Sequence, residues 1–564
     1  MTPFCTSLAF YGWFAIYALY LLLSGHLLTI VEAHGGGATT LNRNNRTNFL
    51  IYLVDDLGWA EVGYNGGKAR TPFVDALAGS PHSLQLRNMH STTSCSPSRA
   101  ELVTGLSSLR NCVSGTNLNQ TMKAPVWMQT IGTDAQRAAY KTAYFGKWHL
   151  GLLHTNMIAN VGFNHWVASS GNLVPYDSTC YCQEITCSRI PLRKCVKNPA
   201  CRSIRSAPGS TVRICSAFAT TKECDVVGFK YKAHFHTFRT RQSCDWTTNS
   251  IANGTAIGPA NMPRRVVAAH DLVDRFGTFL KGLNDDEAFL AIIAFSEVHL
   301  PLASSTESRR NVSIYHQVPL NSLQADYLTS LENLDAAVGR AQSMLVESGR
   351  MNNTFVIFTS DNGPQDPTIG GPVLSAPLRG WKSTIYEGGV RVPGIIHWPN
   401  RISFPSTDPS RVISQLIALV DIRPTIRDIL LAENPSLLLP SLDNADGESL
   451  LSLIESPRNW TRRRDHVICL PPNLAIGRIK DCEKFAFYPA DIPHLKAVVA
   501  RTGSKFPERD REAELFDLKR DLAERRSLVS QQVQVYRGLA KRGRNIVKEI
   551  MAEFQQRKCS DFTI

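Results

Sequence analysis

Three uninterrupted apolar runs, Asn48–Val54, 288–295 and 353–359, constrain the fold more than any other feature of the chain. A strand buried on both faces has no polar alternation, so runs of this length suit the central strands of a parallel sheet. Shorter runs at 142–145 and 394–398 add to the set. Helical spacing lies between them. Val267, Leu272, Val273, Phe276 and Leu280 mark a helix over 264–283, and 324–349 reads as a long helix with Gly349 at its end. A further helix is predicted over 413–431, broken or kinked at Pro424. Strands alternating with helices predict an α/β fold: a large, doubly wound, mixed but mostly parallel sheet flanked by helices. From about residue 440 the composition shifts, which predicts a smaller C-terminal α+β domain over 441–564. In that domain 514–518 reads as a strand and 529–554 as a basic amphipathic helix packed on this small domain, with a membrane surface as the alternative.

Ligands in such sheets gather beyond the carboxyl ends of the strands. Polar residues recur at those ends: Asp55-Asp56, Lys147 with His149, His299, and Asp361-Asn362. Adjacent carboxylates repel each other unless a cation sits between them, although an Asp at a strand end also serves as a turn or helix cap. Two apart in an extended segment, Lys147 and His149 point the same way, as an anion with a proton to move requires. A surface lysine beside a packed histidine is the plain alternative. Ser94-Cys-Ser-Pro-Ser-Arg99 reads as a turn leading into a helix, with Pro97 in its first turn and Cys95 and Arg99 on one face. Leu102–Leu106 is expected to continue that helix. A lone cysteine there is commonly a small packed residue. No single cluster is decisive, but all of them share one edge of one sheet.

Composition narrows the setting. The formal net charge is +13, which suits acidic partners in general. There is no long Lys/Arg block and no helix-turn-helix or RRM signature, so nucleic acid is not an expected partner. Residues 8–31 are almost wholly apolar and no Lys or Arg precedes Arg43. This predicts a signal peptide over 1–33, with an uncleaved membrane anchor as the alternative, and in either case a secretory route. Six Asn-x-Ser/Thr sequons (Asn45, Asn119, Asn253, Asn311, Asn352, Asn459) and fourteen cysteines agree with an oxidising compartment. Eight of the cysteines fall between Cys180 and Cys244, in a spacing unlike paired zinc-binding units. The segment 171–260 is therefore read as a disulfide-pinned surface insertion with poor apolar periodicity, inside a catalytic domain over 34–440.

Taken together, the motifs identify a family. Cys95-Ser-Pro-Ser-Arg99, followed by Leu102-Val-Thr-Gly105, resembles the first signature of the type I, arylsulfatase-like sulfatases. Gly146-Lys-Trp-His-Leu-Gly151 is similar to the second. Val54-Asp-Asp-Leu-Gly58, Ser360-Asp-Asn-Gly363 and the segment 378–391 complete the set in family order. The resemblance implies that Cys95 is converted to formylglycine by a formylglycine-generating enzyme. One hydroxyl of its hydrate attacks sulfur and the other is deprotonated to expel sulfate. It implies one Ca²⁺ bound by Asp55, Asp56, Asp361, Asn362 and the group at Cys95. Arg99 is then expected to hold the formylglycine hydroxyl. Lys147, Lys382 and His299 surround the sulfate, His299 or Lys382 protonates the leaving oxygen, and His149 acts as the base. Ser169 or Ser170 is a further candidate sulfate contact. The expected partner is a sulfated small molecule or glycan, in a lysosomal or extracellular location. The alternatives are a phosphodiesterase or phosphonate hydrolase using the same site, and an inactive glycan-binding relative.

Overall fold

A computed structural model describes residues 46–111, 113, 129–150, 157–169, 268–299, 322–365, 376–440, 446–470, 482, 484–500 and 513–556, together with the strand backbones within 179–250. The predicted leader and the sequons at Asn45, Asn119, Asn253 and Asn311 lie outside these residues. No helix among the described residues is long and apolar enough to cross a membrane.

The centre is a nine-stranded sheet. Its strands in chain order are β1 (Asn48–Val54), β2 (Ser83–Leu86), β3 (Lys141–Lys147), β4 (His165–Ser169), β5 (Thr247–Ser250), β6 (Phe289–Ala294), β7 (Thr354–Ser360), β8 (Gly394–His397) and β9 (Val412–Ile413). The spatial order is β9-β2-β8-β7-β1-β6-β3-β4-β5. The central strands β7, β1, β6, β3 and β4 pair in parallel, so their carboxyl ends share one edge. Strand β8 runs antiparallel to β7 and β2, and β5 antiparallel to β4.

Side chains alternate along β1 between two cores, as the period of a strand requires. Phe49, Ile51 and Leu53 face helices α2 (Cys95–Thr104), α3 (Ile131–Arg137) and α6 (Ile422–Glu433). Leu50, Tyr52 and Val54 face α1 (Pro72–Gly79), α4 (Ala268–Lys281) and α5 (Ser322–Glu347). Both cores are built from buried apolar side chains, which is the doubly wound arrangement that the unbroken apolar runs predict.

A four-stranded antiparallel meander follows: β10 (His466–Leu470), β11 (Lys484–Tyr488), β12 (Leu495–Ala500) and β13 (Glu514–Asp517). Helix α7 (Val533–Gln556) covers one face, packing Tyr536, Leu539 and Ala540 on Phe485 and Phe487. The other face packs Ile468, Ala486, Val498 and Phe516 against Ile385, Val390 and Ala418. Cys469 and Cys482 form a disulfide between β10 and the residues before β11.

Two expectations are corrected. The helix predicted over 413–431 begins only at Ile422, and Pro424 lies in its first turn. Proline costs nothing there because first-turn N–H groups have no intrahelical acceptor. The preceding residues are strands instead: Val412 and Ile413 pair with Gln85 and Leu86, and Ile417 and Ala418 with Met89 and His90. The Cys95 helix stops at Thr104, where Gly105 adopts φ +69°, a left-handed C-cap. Between 179 and 243 the insertion contains a three-stranded antiparallel sheet, Thr179–Thr186 between Thr211–Cys215 and Phe235–Ser243, and β5 joins the main sheet. Backbone pairing there does not need a two-sided apolar core, so it leaves no strong periodic signal.

Helix α2 carries a buried acid, Glu101, which accepts from the Ser108 N–H at 2.7 Å. Burial pushes this carboxyl from 4.5 up to about 8, and the Ser108 bond offsets only part of that. A folded-state pKa raised above the unfolded one gives stability that is complete below about 4.5 and lost as pH rises through about 8. Glu101→Gln is therefore expected to match the parent's melting temperature near pH 5. At pH 8 it should exceed it, the differential being on the order of a few kcal/mol. Equal destabilisation at both pH values would contradict this.

Candidate active site

Four adjacent parallel strands deliver the site. Asp55 and Asp56 follow β1, Lys147 ends β3, His299 lies five residues beyond β6, and Asp361 and Asn362 follow β7. Asp56 has φ +61°, a left-handed turn that an aspartate tolerates better than most residues. The backbone holds these ends together: Asp55 N donates to Glu297 O at 3.0 Å, Val298 N to Asp55 O at 2.8 Å, and Asp361 N to Val54 O at 3.0 Å. Cys95 is the first residue of α2, with Ser94 in extended conformation before it. All ten predicted site residues except His299 are fully or almost fully buried, and His299 is partly so.

The charges are paired. Lys147 Nζ donates to both Asp55 oxygens, at 2.8 and 2.6 Å. Lys382 Nζ reaches Asp56 Oδ1 at 2.6 Å, and His299 Nε2 lies 3.5 Å from Asp56 Oδ2. Arg99 donates to Asp361 Oδ2 through Nε at 2.9 Å, and its Nη1 donates to Lys147 O at 2.7 Å. Tyr144, not among the predicted site residues, donates to the same Lys147 carbonyl at 2.6 Å. The Cys95 thiol lies 3.5 Å from Asp55 Oδ1 and 3.9 Å from Asp56 Oδ1. Arg99 thus grips Asp361 and the end of β3.

His149 departs from the extended geometry expected of it. It has φ +56°, so the strand has already turned after Lys147, and the two side chains no longer share a strand face. Its imidazole still senses the site. Burial, then Lys147 and Arg99, hold it well below the ordinary histidine value. Its Nδ1 has no hydrogen-bond partner among the described residues. A buried, neutral imidazole can accept a proton.

The environment sorts the remaining groups. Burial alone would raise Asp55 and Asp56. Lys147, His299 and Arg99 outweigh it at Asp55, and His299 and Lys382 at Asp56, so both carboxyls lie below the ordinary value. Burial first, then Asp361, pushes the Cys95 thiol up to about 12. The encoded cysteine is therefore a poor nucleophile where it stands.

Three carboxylates (Asp55, Asp56, Asp361) contact three permanent cations (Arg99, Lys147, Lys382), so these charges cancel. Ligand atoms of Asp55, Asp56, Cys95 and His299 lie within 4.8 Å of one another. Among the described residues two buried oxygens, Asp56 Oδ2 and Asn362 Oδ1, accept no hydrogen bond, His299 Nε2 lying 3.5 Å from the former, and Asn362 Nδ2 donates to Asp56 Oδ1 at 2.6 Å. Buried oxygens without donors, beside further carboxylates, fit a hard divalent cation. With such an ion the cluster would carry a net charge of about +2 and attract an anion. Side chains at 169 and 170 lie outside the described residues.

Comparison with known proteins gives a consistent picture. The Sulfatase family model matches residues 47–431. Arylsulfatase G of Canis lupus familiaris is 26% identical over 578 residues, covering 96% of this chain and 92% of its own. Among solved structures, Ps i-CgsB in complex with k-i-k-neocarrahexaose superposes with a TM-score of 0.63 at 18% identity, covering 89% of this chain and 93% of that one. The PsFucS1 sulfatase from Pseudoalteromonas sp. gives a TM-score of 0.61 at 22% identity, covering 90% and 91%.

Proposed function

The chain belongs to the sulfatase family and is a sulfuric ester hydrolase, and from that premise we propose that it acts through a formylglycine made from Cys95 beside a bound Ca²⁺. The single observation that carries the proposal is the state of residue 95. It opens a helix among three carboxylates and three cations, with its sulfur 3.5 Å from Asp55 Oδ1, and burial and Asp361 push its thiol pKa upward. A site built for anion chemistry around an inert thiol makes sense if the thiol is a precursor.

The hydrated aldehyde supplies two hydroxyls on one carbon, one to attack sulfur and one to release sulfate afterwards. Asp55, Asp56, Asp361, Asn362 and the group at residue 95 would hold a Ca²⁺ ion, which would supply Lewis-acid polarisation. The chain's own residues do the rest. Lys147 and Lys382, which contact Asp55 and Asp56, would stabilise the charge that develops on sulfate oxygens as the S–O bond breaks. Lys382 or His299 gives a proton to the departing alcohol oxygen. His149, kept neutral by burial and its cationic neighbours, takes the proton from the hydroxyl left at residue 95. Arg99, anchored on Asp361 and the end of β3, steadies that hydroxyl.

The mature enzyme is read as a secretory-pathway protein, lysosomal or extracellular, acting on a sulfated small molecule or glycan. Asn352 and Asn459 are exposed and so accessible to glycan transfer. Mass spectrometry of the Cys95 peptide, from protein made with the formylglycine-generating enzyme, tests the central claim. One oxygen should replace the sulfur and two hydrogens, in proportion to turnover of p-nitrocatechol sulfate. Full activity with an intact thiol would overturn the proposal.

A further inference from the structure

The loop carrying Lys382 is held from two sides. Toward the site, Lys382 N donates to Pro364 O at 2.8 Å and Ser383 N to Thr93 O at 2.7 Å. These bonds tie it to the segments just after Asn362 and just before Cys95. Five residues past Lys382, Glu387 opens the short helix Glu387–Val390 and turns the other way. Its Oε1 accepts from Lys496 Nζ at 3.0 Å and from the Tyr488 hydroxyl at 2.9 Å. Its Oε2 accepts from Arg391 Nη1 at 3.1 Å and faces His90 Nε2 at 3.3 Å. Lys496 Nζ also meets Glu524 Oε1 at 2.7 Å, and Glu524 Oε2 accepts the Glu387 N–H at 2.7 Å. The side chains of Lys496, Glu387 and Glu524 are 0% exposed.

Lys496 and Tyr488 belong to the C-terminal meander, on β12 and β11. The network is therefore the polar part of a seam whose apolar part joins Ile385 and Val390 to Ala486, Val498 and Phe516. Between network and site the loop has no slack. A Cβ on Gly388 would lie 2.2 Å from Gly380 O, and Gly363 N donates to Gly389 O at 2.9 Å. Breaking the Glu387–Lys496 contact would cost both groups a fully buried, charge-assisted hydrogen bond, and this opposes a shift of the loop away from the sheet. A buried ion pair is weak evidence for stability as such, but it does select one arrangement of the chain.

We propose that Lys496 is a positioning residue for Lys382: from the C-terminal sheet it clamps Glu387 and thereby sets the loop that aims the Lys382 ammonium at Asp56 and the bound sulfate. The inference rests on the role assigned above to Lys382. It makes the C-terminal sheet part of the support of the active site. Arg391 and His90 come from the catalytic part, so they can neutralise Glu387 but cannot lock the loop to that sheet.

The test is a double-mutant cycle on kcat/KM for p-nitrocatechol sulfate, normalised to formylglycine content. Lys496→Met keeps the length of the side chain and removes its charge. It is expected to lower kcat/KM about tenfold or more in the parent, and less than about threefold in a Lys382→Ala background, because the aim of an absent ammonium no longer matters. Lys496→Arg should recover part of the loss. Parental activity in Lys496→Met, or an equal loss in both backgrounds, overturns the inference and leaves the role of Lys382 standing. Parental activity in Lys382→Ala overturns that role and the inference with it. If Lys496→Met does not fold, Tyr488→Phe, which removes only the hydroxyl bound to Glu387, enters the same cycle and is judged by the same non-additivity.

Discussion

Cys95→Ser is expected to turn over sulfate esters roughly ten-thousand-fold more slowly than the converted parent, while one sulfo group accumulates on the chain. The introduced hydroxyl occupies the same position at the start of α2, next to Asp55 and Asp56, and can still attack sulfur. It has no second hydroxyl on the same carbon, so nothing remains for His149 to deprotonate and the ester persists. Cys95→Ala has no oxygen to attack with and should be inactive without gaining mass. The unconverted thiol is no substitute, since burial and Asp361 hold it near a pKa of about 12. The measurement is intact-protein mass spectrometry after incubation with substrate, beside a turnover assay. Parental turnover in Cys95→Ser, or activity in Cys95→Ala, would refute the assignment of residue 95.

Removing divalent cations should have the next largest effect. Dialysis against a calcium chelator is expected to reduce turnover about 100- to 1,000-fold and to lower the melting temperature, with Ca²⁺ restoring both. The charge count gives the reason. A divalent cation on Asp55 and Asp56 would offset the carboxylate charge that Lys147 and Lys382 now face, leaving their ammoniums for sulfate oxygens. The melting shift follows from binding to the folded state alone, about 2.7 kcal/mol at a free ion concentration one hundred times Kd. Asp56→Asn keeps the shape but removes a charge between Lys382 and His299, so it should abolish the calcium-dependent shift as well as most activity. Undiminished turnover after chelation, or a calcium shift that survives in Asp56→Asn, would refute the cation site.

Much of the fold and site was legible because the signals are local. Phe49, Ile51 and Leu53 alternate with Leu50, Tyr52 and Val54, all apolar, and only a strand covered on both faces can bury such a run. Asp55, Lys147 and Asp361 each stand at or directly beyond a strand end. Lys382 stands on no periodic element, and the resemblance to the family, not spacing, pointed to it. The region around Pro424 misled because proline marks both a kink and a helix start, and only the pairing of Val412 and Ile413 with β2 distinguishes them. Tyr144 looked like an ordinary strand residue, since its hydroxyl finds Lys147 O only after β3 has turned. Glu387 and Arg391 carried a faint signal as an acid–base pair four apart. Nothing near them in the chain announces Lys496, 109 residues away from Glu387.

From its residues alone the chain determines which segments are buried strands, which polar groups lie at their ends, and that a cysteine, an arginine and a proline share one helix start. These follow from periodicity and backbone chemistry, which act over a few residues. Only the tertiary structure decides which carboxylate meets which cation. That choice pairs Lys147 with Asp55, Lys382 with Asp56, Arg99 with Asp361 and Lys496 with Glu387. Coulomb interactions depend on distance and on the exclusion of water, and both are fixed when strands far apart in the chain come to lie side by side.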